Sequence, residues 1–169
     1  VNSWYNPPKE ADAAAVMIAE GCDMVAQHTD SPAPLQTAQK NGVTGFGQAS
    51  DQIRFAPKAQ LTATIDNWSP YYIKKVQAVI DGNWKTGDYF GHMKDDAVQM
   101  APFTNMPVDV QAFAQKIKEG IRDGNYFAFT GPIKDNTGKL QLKDGEVATD
   151  AHLNSMMYYV EGIDATVPK

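Results

Sequence analysis

The sequence has little cysteine and no long apolar run. Its single cysteine, Cys22, excludes a disulfide within the chain, and we expect its thiol to be buried and inert. No apolar run approaches the roughly 18 residues that a membrane-spanning helix needs. No signal peptide is visible either. Because the chain begins at Val1, we expect a true N-terminus to lie upstream of it.

Clustered positive charge is missing as well. The 15 lysines and arginines are scattered along the chain, and the formal net charge is −5. Nucleic-acid binding needs clustered basic side chains to neutralise phosphates, so we predict no nucleic-acid partner. No glycine-rich loop of the dinucleotide or P-loop type follows a predicted strand. A phosphorylated small molecule is therefore disfavoured as a ligand.

Signatures of metal binding and catalysis are also missing. His28, His92 and His152 have no metal-binding spacing, and neither HExxH nor CxxC occurs. No serine lies in a G-x-S-x-G elbow. We predict no metal, no cofactor and no enzymatic activity. One catalytic alternative stays open, in which paired carboxylates serve as general acid and base.

What the sequence does contain is an alternation of amphipathic helices and short apolar strands. Strands without polar alternation are typical of parallel sheets that are buried on both faces. The pattern predicts an α/β lobe of three layers, with a mostly parallel sheet and helices on both faces. A hairpin with its tip at Asp135, Asn136 and Gly138 is predicted in a C-terminal tail, and we expect residues 1–169 to form a single lobe. The predicted strands are 22–27, 43–47 and 60–66, with further extended segments at 88–103 and 156–164. The predicted helices are 7–20, 34–42, 108–125 and 70–83, the last with Ser69 as its N-cap.

Polar and aromatic residues follow each predicted strand. They also open the chain, where we expect them to follow a further strand that lies just before Val1. Ligands of open α/β sheets bind outside the carboxyl ends of the strands. Indole rings stack on flat ligands, and carboxylates accept strong hydrogen bonds from N–H groups. Taken singly, each side chain also fits a turn, capping or core-edge role. Together they predict a binding edge for an uncharged or weakly cationic planar ligand, lined by Trp4, Thr29, Asp30, Asp51, Asp66, Asn67 and Trp68.

Three strings carry a resemblance: "SWYNPPKEADAAAVMIAEGCDMVAQHTDSPAPLQTAQKNGVTGFGQASDQ", "APKAQLTATIDNWSPYYIKKVQAVIDGNW" and "FTGPIKDNTGKL". Together they resemble the basic membrane protein (BMP) family of bacterial ABC-transporter substrate-binding lipoproteins, which includes purine nucleoside receptors. The resemblance implies one lobe of a type I periplasmic-binding-protein fold, in which two lobes hold the ligand. This chain is then the C-terminal lobe, and the N-terminal lobe is absent from it. An ABC permease is the implied partner. The implied location is the periplasm or cell surface, with a lipid anchor on the absent N-terminus as the only membrane contact.

The resemblance also suggests roles for single residues. Trp4 follows a serine, as does the aromatic residue that stacks on the base in nucleoside-binding relatives. Asp51 matches the last acid of the family's G-x-D-x-D-Q loop, whereas Ala49 replaces the first acid. Asp66 stands about where those relatives carry a lysine that reaches the ribose. A purine base without ribose, such as adenine, is therefore the implied ligand, with Asp30 or Asp66 accepting from its amine or ring N–H.

Two other functions are compatible with the same predicted fold. One is a small α/β enzyme that acts on nucleosides and uses carboxylates of the binding edge as acid and base. The other is the sensor lobe of a transcription regulator. Both stay open at the level of the sequence.

Overall fold

The structure is a computed structural model that describes residues 3–167. Helices and short strands alternate in chain order, as the sequence pattern predicts. The elements are α1 (Pro7–Ala19), β1 (Met24–Ala26), α2 (Ala33–Lys40), β2 (Thr44–Gly47), β3 (Gln60–Asp66), α3 (Ser69–Ile80), a 3₁₀ turn (Met93–Asp95), β4 (Val98–Met100), α4 (Val108–Arg122), β5 (Ile133–Lys134), β6 (Leu140–Leu142) and α5 (Asp150–Asn154).

Strands β1 to β4 form one sheet in the order β1-β2-β3-β4. β1 pairs with β2, and β2 with β3, in parallel; Val25 lies opposite Gly45, and Gly47 lies opposite Ala63. β4 runs antiparallel to β3. The predicted class, a mostly parallel α/β sheet, is therefore confirmed. Because β1, β2 and β3 run in the same direction, their carboxyl ends lie at one edge of the sheet.

The bounds of α1 follow from its local chemistry. Asn6 is the N-cap, and its side-chain oxygen accepts a hydrogen bond from the backbone N–H of Lys9 at 3.3 Å. Two prolines open the helix, where a missing N–H costs little. Gly21 ends it with a φ of +103°. Cys22 follows in this turn and is exposed, so the prediction of a buried thiol is wrong; β1 begins only at Met24.

The main hydrophobic core lies where α1 and α2 meet the sheet. Alanines dominate it and allow the helix and strand backbones to approach closely. At Gly45 an added Cβ would lie 2.7 Å from the carbonyl oxygen of Val25 and 2.9 Å from Cδ1 of Leu35. β2 therefore passes beneath α2 only because this residue has no side chain. The buried members of the core are Ala14, Val25, Leu35, Ala38, Ala56 and Ala59.

Helices α3 and α4 differ from this pair. None of their residues, all of which the structure describes, is buried. α3 nevertheless carries several large apolar side chains, and Ile73 and Ile80 are 70% and 72% exposed. α3 begins at Ser69, so Trp68 occupies the N-cap position and makes no capping side-chain bond within residues 3–167. The prediction that Ser69 is the N-cap is wrong by one residue, because Ser69 already belongs to the helix.

The chain divides into two compact units between Arg122 and Asp123. The second unit contains the antiparallel pair β5–β6, in which Ile133 lies opposite Leu142. The predicted hairpin is therefore confirmed. That residues 1–169 together form one lobe stays a prediction.

Asp135 organises the turn of this hairpin. Its buried carboxylate accepts hydrogen bonds from the Thr137 hydroxyl at 2.6 Å, from Nε2 of Gln141 at 2.6 Å and from two backbone N–H groups. These bonds, led by that of the Thr137 hydroxyl, lower the pKa of Asp135 from 3.8 to about 2. The ionised carboxylate thus stabilises the folded turn above pH 3.8, and this contribution is lost as the pH falls through about 2.

Candidate ligand-binding edge

The predicted binding edge lies at the carboxyl ends of the parallel strands. β1, β2 and β3 end at Ala26, Gly47 and Asp66, and the loops that follow carry most of the predicted residues. β3 continues for three residues beyond the pair formed by Gly47 and Ala63, which extends it by roughly 10 Å. The edge is therefore stepped, with the end of β3 projecting furthest.

The N-terminal segment and the loop after β1 are joined directly. The backbone N–H of Asp30 donates to the carbonyl oxygen of Trp4 at 3.3 Å. The Trp4 side chain is 77% exposed. The Thr29 hydroxyl is engaged within its own loop, with the Ser31 carbonyl at 3.1 Å and Oε1 of Gln27 at 3.3 Å. Trp4 and Asp30 are thus neighbours, while the Thr29 hydroxyl organises the loop.

Three glutamines connect the loop after β1 with the loop after β2, and no sequence motif predicts them. Nε2 of Gln27 donates to Oε1 of Gln52 at 2.6 Å. The backbone N–H of Gln52 donates to Oε1 of Gln60 at 3.1 Å, and Nε2 of Gln60 donates to Asp51 at 2.7 Å. Gln52 and Gln60 are buried, where an unpaired amide would be costly. We call Gln27, Gln52 and Gln60 the glutamine network.

The loop after β2 bends back on itself and uses Asp51 as an anchor. The Asp51 carboxylate accepts from Gln60 and also from the backbone N–H of Ile53 at 3.0 Å. Ala49 adopts a left-handed φ of +60°, and its carbonyl oxygen accepts from the backbone N–H of Asp66 at 3.0 Å. The structure therefore brings this loop to the end of β3, and Oδ1 of Asp51 takes part in holding the loop.

Asn67 and Trp68 continue the edge beyond β3. Nδ2 of Asn67 donates to the carbonyl and carboxylate oxygens of Asp96 at 2.9 and 3.1 Å, so Asn67 secures the chain before β4. Trp68 is 52% exposed. Its ring centroid lies 5.9 Å from that of Tyr71 and 6.0 Å from that of Tyr72. An aromatic cluster thus borders the edge at the start of α3.

The carboxylates of Asp30 and Asp66 have both oxygens available for a ligand. Asp30 and Asp66 are exposed, and neither side chain makes a hydrogen bond with another residue in the part of the chain that the structure describes. Exposed carboxylates next to exposed indoles can accept from N–H groups of a flat heterocycle while the rings stack on its face. Within residues 3–167, no group of three or more His, Cys, Asp or Glu side chains is placed to hold a metal ion.

Among the helices of residues 3–167, none combines the length and the apolar character that crossing a bilayer would require.

Comparison with known proteins identifies relatives over the whole chain. Residues 1–134 match the family model described as ABC transporter substrate-binding protein PnrA-like. A purine-binding protein of Brucella abortus is 50% identical over 169 residues, which is all of this chain and 48% of that protein. A Haloferax volcanii protein, provisionally named as an ABC transporter glucose-binding protein, is 26% identical over 99% of this chain and 41% of its own length. This chain thus spans about half the length of these curated relatives or less.

Solved structures show the same fold. A transcriptional activator of the comK gene from Bacillus halodurans superposes with a TM-score of 0.67 at 17% identity, over 76% of this chain and 46% of that one. A solute-binding protein of an Aeropyrum pernix ABC transporter gives a TM-score of 0.58 at 13% identity, over 78% and 45%. Solute-binding proteins thus share the architecture, which confirms the predicted lobe of a periplasmic-binding fold. At these identities the similarity concerns the fold alone.

Proposed function

The chain belongs to the family of PnrA-like ABC transporter substrate-binding proteins, and on that premise we propose that it is the ligand-binding lobe of a purine receptor. The receptor would deliver a purine base, such as adenine, to the permease of an ABC importer. The observation that carries this proposal is the 50% identity, over the entire chain, to a purine-binding protein. We propose no catalytic step, because the family binds its substrate for transport.

The chemistry of the binding edge supports a base rather than a nucleotide. Trp4 and Trp68 offer exposed aromatic faces, and the exposed carboxylates of Asp30 and Asp66 offer charged acceptors. An adenine ring presents a flat surface together with exocyclic and ring N–H groups, which suit these partners. The three predicted acids of the edge would repel a phosphate group. An uncharged base is therefore favoured over a nucleotide.

A second lobe completes the proposed receptor. The relatives are about twice as long as this chain. The apolar face of α3 is exposed here, as the side chains of Ile73, Val76, Val79 and Ile80 show. We propose that an N-terminal lobe covers this face and supplies the opposing wall of the cleft, so that the ligand is enclosed by lobe closure. The chain alone then binds weakly, because only one wall is present.

The location follows from the same proposal. A receptor that serves an ABC importer works in the periplasm or on the cell surface. Its attachment to the membrane would be a lipid anchor on the N-terminal lobe. The described helices offer no membrane span of their own.

Calorimetric titration tests the proposed ligand. Adenine is added to the chain and to the longer two-lobed protein, with glucose and adenosine monophosphate as competing ligand classes. We expect one adenine per protein, tighter binding to the two-lobed form, and no chemical change in the recovered base. Trp4→Ala and Asp30→Asn should each weaken binding about tenfold. Trp84→Ala is the matched control, because Trp84 is also exposed but lies beyond the C-terminal end of α3.

Three results would contradict the proposal. They are binding of glucose in place of adenine, conversion of the base to a product, and an equal loss of affinity in the Trp84→Ala control.

A further inference from the structure

Glu10 is a buried carboxylate to which the proposed function assigns no role. It lies in the first turn of α1 and is only 2% exposed. Burying a carboxylate is costly unless hydrogen bonds compensate for the lost water. Its partners therefore show what the burial accomplishes.

The two oxygens of Glu10 reach two different segments. Oε1 accepts from the backbone N–H of Asn6 at 2.6 Å. Oε2 accepts from the hydroxyl of Ser31, which is itself 1% exposed. The Ser31 hydroxyl oxygen in turn accepts from the backbone N–H of Ala33 at 3.2 Å, at the start of α2. Glu10 thus links the beginning of α1 to the beginning of α2.

These two segments carry neighbouring residues of the binding edge. Trp4 lies two residues before Asn6, and Asp30 lies directly before Ser31. Within residues 3–167 the two segments are also joined by the backbone hydrogen bond from Asp30 to Trp4, which is long at 3.3 Å and joins two exposed residues. A charge-assisted, buried bond is the stronger constraint, because water does not compete for it.

We propose that Glu10 is a positioning residue for the purine site: through Ser31 it fixes the indole of Trp4 relative to the carboxylate of Asp30. The inference rests on the proposed function for its ligand, but the positioning itself concerns the ligand-free protein. The simpler alternative is that Glu10 only caps α1 through Asn6. A substitution at Ser31 distinguishes the two roles, because Ser31 takes no part in the capping of α1.

Matched variants distinguish these roles. Ser31→Ala removes the link to the binding edge and leaves the bond between Glu10 and Asn6. Asn6→Ala removes the side-chain cap of α1 and leaves the link intact, so it serves as the control for lost stability. Glu10→Gln preserves the side-chain volume and replaces a charged bond by a neutral one of about half the strength. It keeps the proposal testable if Ser31→Ala does not fold.

Two readouts are needed: adenine affinity by calorimetry, and the ¹⁹F spectrum of the ligand-free chain labelled with 5-fluorotryptophan. We expect Ser31→Ala to weaken adenine binding about tenfold and Glu10→Gln about threefold, with Asn6→Ala close to the original protein. The resonance of Trp4 should shift or broaden in Ser31→Ala and in Glu10→Gln but not in Asn6→Ala. The resonance of Trp68 should stay unchanged in all three.

The outcomes separate this inference from the proposed function. An unchanged Trp4 resonance in Ser31→Ala and Glu10→Gln would overturn the positioning role, as would equal losses of affinity in Ser31→Ala and Asn6→Ala. Failure of the unaltered chain and of the two-lobed protein to bind adenine would instead overturn the proposed function. In that case the Trp4 resonance would still decide whether Glu10 positions this loop.

Discussion

The helices of residues 3–122 differ in what they bury. α1 and α2 place Ala14, Leu35 and Ala38 in a core that they share with β1. α3 carries more large apolar side chains than α1 and α2 together, yet it buries none of its residues. The difference shows that α1 and α2 are packed against the sheet within residues 3–122, whereas the apolar face of α3 is open to a partner such as the proposed N-terminal lobe.

The binding edge also has one part that buried contacts hold in place and another part that only exposed contacts hold. Trp4 and Asp30 lie on segments that the buried pair of Glu10 and Ser31 holds together. Asn67 and Trp68, at the start of α3, depend on exposed contacts with Asp96 and the neighbouring tyrosines. We therefore expect the first part of the edge to be organised in this chain alone, and the second part to become organised only when α3 is covered.

The largest expected effect concerns the core. Leu35→Ala should lower the free energy of unfolding by about 2–5 kcal/mol, because it leaves a cavity under α2. Ile73→Ala removes a similar side chain from the exposed face of α3 and should change it by less than about 0.5 kcal/mol. Urea unfolding followed by circular dichroism measures both. Equal losses would mean that α3 is already packed.

The next effect concerns what covers α3. Val76→Asp should change the unfolding free energy of this chain by less than about 0.5 kcal/mol, since Val76 is exposed. In the two-lobed protein the same substitution should cost about 1–3 kcal/mol, because a charge would then be buried. Thermal unfolding of the two forms, side by side, gives the comparison. A substitution that is harmless in both would show that the N-terminal lobe leaves this face uncovered.

The smallest effect concerns the helix starts. Asn6→Ala should cost about 1 kcal/mol, because it removes the side-chain cap of α1. Ser69→Ala should cost less than about 0.5 kcal/mol, because Ser69 lies inside α3 and does not cap it. Chemical unfolding resolves the two values. A larger loss for Ser69→Ala would place the N-cap of α3 at Ser69 after all.

Local sequence signals predict much of the fold. The prolines and Gly21 delimit α1, the apolar runs predict β1 to β3, and the Asp135 turn predicts the hairpin, because each signal acts within a few residues. The exposure of Cys22 does not follow from the sequence, since β1 begins two residues later than its apolar pattern indicates. Likewise, helix propensity alone did not place the first residue of α3.

The binding edge was predictable only in part. The positions of Trp4, Asp30 and Asp66, the last residue of β3, follow from strand order, which the apolar pattern reveals. The glutamine network and the link from Glu10 to Ser31 consist of hydrogen bonds between residues 8 to 25 positions apart along the chain. A glutamine or glutamate has the same sequence appearance whether it is solvated or buried, so its partners emerge only from the fold.

The most direct test of the account is a two-dimensional ¹H–¹⁵N NMR titration of this chain with adenine at millimolar concentration. Adenine should shift the backbone amides of Trp4, Asp30, Ala49 and Asn67 together, with one common dissociation constant. The amides of α5 and of the β5–β6 hairpin should stay in place. Shifts confined to the hairpin, or no shifts in either this chain or the two-lobed protein, would contradict a purine site at the carboxyl ends of the parallel strands.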